Sequence, residues 1–387
     1  MTLIAAACRM GDGVIPRSLD DMSFQAEAVV NLEAIAANVA NLARRTSAEL
    51  MPAVKADGYG HGLIPAARAC LAGGATRLGV ATLPEAMALR ADGVTVPILA
   101  WLAAPGLDLE PAIEADVSLG ASSVAQLREF VAVRASRPAK VHLEVDTGMG
   151  RGGVVEDEWG RLCEFAAKAQ ADGLIELVGV WSHMACADEP EHPANAAQKS
   201  AFERFLDAVS AAGLDPAYRH LANSAALLTD RSTHYDVVRP GIAVYGYSPI
   251  VGQDYGLRPA MSVRARLTQV KRLPAEHGIS YGHTYVTDRP TTVAVVPLGY
   301  ADGIPRSTSN KAEVLINGER HPIVGRVCMD QVVVKLGKAK AHPGDVAEFF
   351  GDGEITADDW AIWHDTISYE ILTSIGARVR RRYVGNP

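Results

Sequence analysis

The chain has 387 residues, too many for one small domain and enough for a barrel-sized domain with a second beside it. Nearly half of the residues are hydrophobic and the net charge is −8, an ordinary globular composition whose acidity argues against DNA or RNA as the main partner while allowing a local anion pocket. The five cysteines are scattered with no CxxC pair, which points to reduced thiols in a cytoplasmic protein rather than a disulfide framework or a metal site.

Residues 1–24 read as a loosely ordered extension. Their start, "MTLIAAACRMGDG", lacks the basic first region and long apolar core of a signal peptide. No apolar run in the chain approaches the ~18 residues of a membrane helix. From 25 to 258, short β-branched runs alternate with alanine-rich helical stretches. The strand candidates are "ELMPAVKA", "TRLGVATL", "VPILAWL", "DVSLGAS", "KVHLEVDTG", "ELVGVWSHM", "YRHLANS" and "DVVRPGIAVYG". That is about eight units, the number that closes a (β/α)8 TIM barrel. A doubly wound sheet is the alternative, but no GxGxxG follows the first strand. From 259 to 387 the character is mostly β: "MSVRARLTQVKRL", "TTVAVVPLG", "KAEVLINGER", "HPIVGRVCMDQVVVKLG" and "GDVAEFFG". The Asn-Gly pair in "INGER" suits a tight hairpin, and "ADDWAIWHDTISYEILTSIG" reads as helix.

In a barrel of this kind, a site forms where the strands end. The polar residues there are Lys55, Tyr59, Trp101, Glu144, Asp146, Arg151, Ser182, His183, His220, Asn223, Ser224 and Arg239, with Gly241 beside them. Singly, each has an ordinary explanation. Lys55 could snorkel to solvent, a histidine could be a bonded core group, Arg239 could pair with a carboxylate, and Ser224 could cap the helix that begins "SAALL". Together they fall on one face. A lysine desolvated in a barrel mouth can attack an aldehyde. A phosphate would suit the Tyr59 and Ser224 hydroxyls and the backbone after Arg239, where glycine at 241 permits close approach. Lysine plus phosphate cradle suggests pyridoxal phosphate, although an aldolase for a phosphorylated sugar remains open on these residues alone.

The motifs "AVKADGYGHG", "VDTGMGR", "WSHMACADE", "HLANS", "VRPGIAVYG", "ISYGHTY", "LGYADGIPR", "GRVCMDQ" and "TISYEIL", in this order from about Ala26 to Tyr383, resemble the bacterial alanine racemases. The resemblance implies a pyridoxal 5'-phosphate enzyme, a barrel followed by a β domain, that interconverts L- and D-alanine and supplies D-alanine for peptidoglycan. It implies that Lys55 holds the cofactor as a Schiff base and acts as one base. Tyr281 would be the second, contributed from the partner in a homodimer. Tyr59, Ser224, Gly241, Ile242 and Tyr369 match phosphate ligands; Arg239 would bond the pyridine nitrogen, His183 would link Arg239 to Tyr281, and Trp101 would line the ring. Asn223 is grouped with these cofactor residues. Arg151 and Met329 match residues that receive the substrate carboxylate, and Tyr300, Asp188 and Arg306 match an entrance corridor. No metal is implied.

One position departs from the family pattern. A carbamylated lysine often precedes the "DTGMGR" aspartate by two residues, and here that position is Glu144, expected to hold Arg151 directly or through water. Racemases of serine, lysine or a broader range, a non-catalytic pyridoxal-phosphate carrier and a related decarboxylase are the other readings. The carrier family lacks a C-terminal β domain, and the decarboxylases place an acid where Arg239 sits.

Overall fold

The computed structural model describes residues 24–387, so the expected extension at 1–24 lies, but for Phe24, outside the described residues. The first strand, β1 (Ala26–Asn31), leads into the helix Leu32–Ala43, whose first turn is capped by the Asn31 side chain accepting from the Ala34 amide at 3.0 Å.

Eight parallel strands then follow in chain order: β2 (Glu49–Leu50), β3 (Leu78–Thr82), β4 (Ile98–Leu102), β5 (Val117–Ala121), β6 (Ala139–Glu144), β7 (Ile175–Trp181), β8 (Tyr218–His220) and β9 (Val237–Val238). Strands β3 to β8 pair with their neighbours in that order, and β2 pairs with β9. Backbone bonds close both seams. Gly79 N–H donates to Pro52 O and Val54 N–H to Gly79 O, each at 2.9 Å; Arg239 N–H donates to Ala222 O, also at 2.9 Å. The ring is therefore complete, and closure excludes the doubly wound sheet. All of β5 is buried, as expected for a parallel strand covered on both faces. The covering helices turn one apolar stripe inward: Trp159–Ala171 buries Trp159, Leu162, Cys163, Ala166 and Ala169, spaced by three or four.

The C-terminal half supplies a six-stranded sheet in the order β16 (Glu319–Pro322), β15 (Glu313–Ile316), β18 (Val346–Phe350), β10 (Met261–Arg266), β1 and β19 (Arg380–Val384). A three-stranded sheet joins β11 (Gln269–Leu273), β14 (Thr291–Val296) and β17 (Val332–Gly337), and β12 (Gly278–Ile279) pairs with β13 (Tyr285–Val286). The Asn-Gly hairpin is present: Ile316 faces Glu319, with φ of 54° at Asn317 and 81° at Gly318.

Three readings of the sequence change. Strand β1 falls in the stretch assigned to the barrel but pairs with β10 and β19 in the C-terminal sheet. Its buried Glu27 meets Arg264 at 2.7 Å and Arg382 at 3.3 Å, a charge pairing that only the folded sheet creates. The run "MSVRARLTQVKRL" is two strands in two sheets, β10 and β11. The single C-terminal helix is two, Ala357–His364 and Ser368–Ser374, broken where Asp365 turns left-handed at φ 62°.

Candidate active site

Lys55 follows the first barrel strand at the start of a left-handed turn. Ala56, Asp57, Gly58 and Tyr59 have φ of 54°, 54°, 62° and 52°. Left-handed backbone costs a non-glycine residue about 1–2 kcal/mol, so three such residues in one turn need strong holding. Four groups provide it. Glu85 Oε1 accepts from the Ala56 amide at 2.7 Å, and Asp57 Oδ1 from the Leu63 amide at 2.8 Å. His61 is buried, with Nδ1 3.0 Å from Gly58 O and 2.9 Å from Tyr59 O; facing two carbonyls, Nδ1 must carry the proton. Arg381, from the C-terminal sheet, donates Nε–H to Gly60 O at 3.0 Å.

The turn aims the Tyr59 ring inward, stacked on Tyr245 with centroids 4.7 Å apart and 6.1 Å from the Tyr369 ring. A Cβ on Gly241 would collide with the Tyr59 hydroxyl, so only glycine leaves this approach open. Ser224 Oγ accepts from the Gly241 amide at 2.7 Å. Ser224 is not the helix cap that its position suggested: Asn223 takes that role, accepting from the Ala226 amide at 3.0 Å, which leaves the serine hydroxyl facing Gly241. Buried Ile242 follows. Two tyrosines, a serine and a glycine backbone thus gather in one place. Burial pushes the Tyr59 phenol well up and holds Tyr369 at about 12, with Asp188 adding to the latter, so both are neutral donors at pH 7.

Arg239 lies beneath this mouth, 7 % exposed. Its Nη1 meets His220 O at 2.8 Å and His220 Nδ1 at 3.0 Å. Nη2 meets Ser182 O at 2.6 Å, Leu221 O at 3.2 Å and His183 Nδ1 at 3.3 Å. Its guanidinium sits 4.9 Å from the Trp181 ring centroid. Burial lowers its pKa to about 9, still cationic at neutral pH. An arginine only donates, so His220 Nδ1 accepts; His220 must then carry its proton on Nε2 and donate it to His142 Nδ1 at 2.9 Å. Burial, with Arg239 among the further causes, lowers His183 and His142 to about 3 and His220 well below its ordinary value, so the three imidazoles are neutral. His142 and Trp181 were missed in the sequence; both sit within strands, and only their inward direction marks them.

Lys55 Nζ stands 5.7 Å from the Trp101 ring centroid. Gly79 makes room for that ring, since a Cβ there would come within 2.6 Å of it, and Gly120 makes room for the Trp101 backbone. Burial and the nearby charge of Arg151 lower the Lys55 pKa, and Glu85 opposes them. The expected direct contact between Glu144 and Arg151 is not made. Ser122, just past the end of the neighbouring strand, donates to the Glu144 carboxylate instead. Arg151 still acts on it through space, as one of the charges that offset the effect of burial. Asp146 builds the loop that carries Arg151, its carboxylate accepting from the Gly148, Met149 and Gly150 amides at 2.8–3.1 Å.

A second group lies apart. Tyr281 is 69 % exposed and Met329 51 % exposed, in a shallow pocket they share with Ser280, Gly282 and Cys328. Tyr300 pins the Met329 loop, its amide donating to Cys328 O at 3.0 Å. Tyr300 and Arg306 are also exposed. The expected link from His183 to Tyr281 is not among the contacts of either residue within one chain.

The fold is thus a closed (β/α)8 barrel with an appended β domain, and a lysine, tyrosine and serine hydroxyls and a glycine backbone gather at the barrel mouth. The chain belongs to the alanine racemase family. Residues 30–249 match the model of the alanine racemase N-terminal domain, and residues 260–383 that of the C-terminal domain. An alanine racemase of Salinispora arenicola is 56 % identical over 94 % of this chain and 99 % of its own. The solved alanine racemase of Streptomyces coelicolor superposes with a TM-score of 0.92 at 47 % identity, covering 95 % of this chain and 100 % of its own. That of Bacillus anthracis, solved with bound L-Ala-P, gives 0.87 at 37 % identity, covering 94 % and 95 %.

Proposed function

We propose that the protein interconverts L- and D-alanine, using pyridoxal 5'-phosphate, as a homodimer whose two sites each need both subunits. The observation that carries this reading is the convergence of Lys55, the Tyr59–Ser224–Gly241 group and Arg239 on one mouth. Lys55 would bond the cofactor aldehyde. Tyr59, Ser224, Tyr369 and the Gly241 and Ile242 backbone would hold its phosphate. The terminal nitrogens of Arg239 are taken by backbone carbonyls and imidazoles, and Nε–H donates to no other group among the described residues. That hydrogen suits a ring nitrogen, and because arginine yields its proton reluctantly, the nitrogen would stay unprotonated. When bound, pyridoxal phosphate withdraws electron density from the amino-acid Cα and acidifies its hydrogen.

The remaining steps belong to side chains. Lowering of the Lys55 pKa favours its neutral, basic form. Arg151 would receive the substrate carboxylate together with Met329, and Tyr300, Asp188 and Arg306 would line the approach. A racemase needs a second base on the opposite face of Cα. The exposure of Tyr281 and Met329 on the β domain supports delivery of both from a partner subunit. Among the described residues no helix is long and apolar enough to cross a membrane, which is compatible with a cytoplasmic supply of D-alanine for peptidoglycan.

The test is incubation with L-alanine in deuterated water, followed by chiral chromatography and mass spectrometry, across alanine, serine and lysine. The expected result is D-alanine carrying deuterium at Cα, alanine the preferred substrate, and both products lost in Lys55→Ala. Preference for serine or lysine would assign a different racemase, and no exchange with any of them would reject the reading.

A further inference from the structure

Glu85 does more than its place in the sequence requires. It is the third residue of the helix Leu83–Ala91, and one carboxylate oxygen serves that helix in the ordinary way, accepting from the Thr82 amide at 3.0 Å and from Ala81 at 3.0 Å. The other oxygen reaches out of the helix to the amide of Ala56 at 2.7 Å, the residue after Lys55. One carboxylate thereby ties the end of β3 to the first left-handed residue of the lysine turn, 29 positions apart in sequence. The helix gains nothing from that second bond.

Resting on the proposed role of Lys55, we infer that Glu85 is a positioning residue for it, fixing the turn that carries the lysine and placing a negative charge one residue from it in the fold. Among the described residues, the other groups that act on or touch the amine are not anions. Arg151 is a cation, His183 is a neutral imidazole, and Trp101 offers its ring face. Glu85 thus opposes burial and Arg151, keeping the lysine from becoming neutral at too low a pH. Glutamine cannot replace it. Whichever way the amide turns, its NH2 would face an N–H at Ala56 or the pair at Ala81 and Thr82.

The experiment reads Lys55 without catalysis. Full-length protein freed of cofactor is exposed to pyridoxal 5'-phosphate across a pH series and reduced with borohydride, and the labelled fraction of the Lys55 peptide is measured by mass spectrometry. The midpoint should fall in Glu85→Gln by about 0.5–1 pH unit, a three- to tenfold rise in neutral amine below the midpoint. In Glu85→Asp, which keeps the charge on a shorter arm, the fall should be smaller. An unchanged midpoint in Glu85→Gln, with native near-ultraviolet circular dichroism, would mean a helix-capping role only and overturn the inference. Should Glu85→Gln not fold, Glu85→Asp is read by the same rule. Failure of the wild-type chain to label Lys55 would instead sink the proposed function, so the two failures are distinct.

Discussion

At Gly241 the absent side chain is what matters, because a Cβ would strike the Tyr59 hydroxyl beside the Ser224–Gly241 hydrogen bond. Gly241→Ala should weaken pyridoxal phosphate binding about five- to 150-fold, since overpacking costs about 1–3 kcal/mol. Fluorescence titration would measure it, with unchanged far-ultraviolet circular dichroism as the control. The histidine relay behind Arg239 makes a second prediction. An unfolded histidine titrates near 6.5, whereas buried His142 titrates at about 3. Between those values the unfolded chain binds a proton that the folded chain does not. The neutral His142 is therefore fully compatible with folding above pH ~6.5, and stability is lost as pH falls toward ~3. His142→Asn, which keeps an acceptor for His220, should flatten the acid limb of unfolding free energy by about 1.4 kcal/mol per pH unit. Urea melts at several pH values would show it; equal slopes would mean that His142 shares the proton with its neighbours.

The decisive element is the turn from Lys55 to Tyr59. Its glycines are legible, but left-handed Ala56 and Asp57 are not, because nothing local favours that conformation in an alanine or an aspartate with its side chain engaged elsewhere. Two of the four holding groups come from other elements: Glu85, and Arg381 more than 300 residues on. Ala56→Gly should relieve strain of about 1–2 kcal/mol against an unfolded-state entropy loss of about 0.4–1, a net gain near 1 kcal/mol in urea melts. Gly60→Ala should do the reverse by about 2–4 kcal/mol, because its Cβ would strike the Leu372 carbonyl in the helix Ser368–Ser374.

The whole molecule divides the candidate residues into a barrel mouth and an exposed face. Lys55, Tyr59, Trp101, Ser224, Arg239 and Gly241 converge within one chain, whereas Tyr281 and Met329 sit on the β domain facing outward. If each site takes Lys55 from one subunit and Tyr281 from the other, Lys55→Ala and Tyr281→Phe homodimers should each be impaired. Unfolding and refolding them as a mixture should restore activity to about a quarter of wild type, because half the dimers are then mixed and one of their two sites is intact. No recovery, with mixed dimers demonstrated by native mass spectrometry, would place both bases in one chain.

Residue order alone determined the alternation of short apolar strands and helices, the Asn-Gly hairpin and the motif series around Lys55, because these depend on periodicity and local turn chemistry. Tertiary structure decided what depends on contacts across the chain. It placed β1 in the C-terminal sheet through Glu27 and its two arginines, gave Glu144 to Ser122 rather than Arg151, and set the protons along His220 and His142 through an arginine that can only donate. It also gave the lysine turn its shape. A chain of four left-handed residues is unfavourable by itself, and it exists here because the local Asp57 and His61 side chains, with a carboxylate and a guanidinium from distant segments, bond the backbone groups that the turn leaves open.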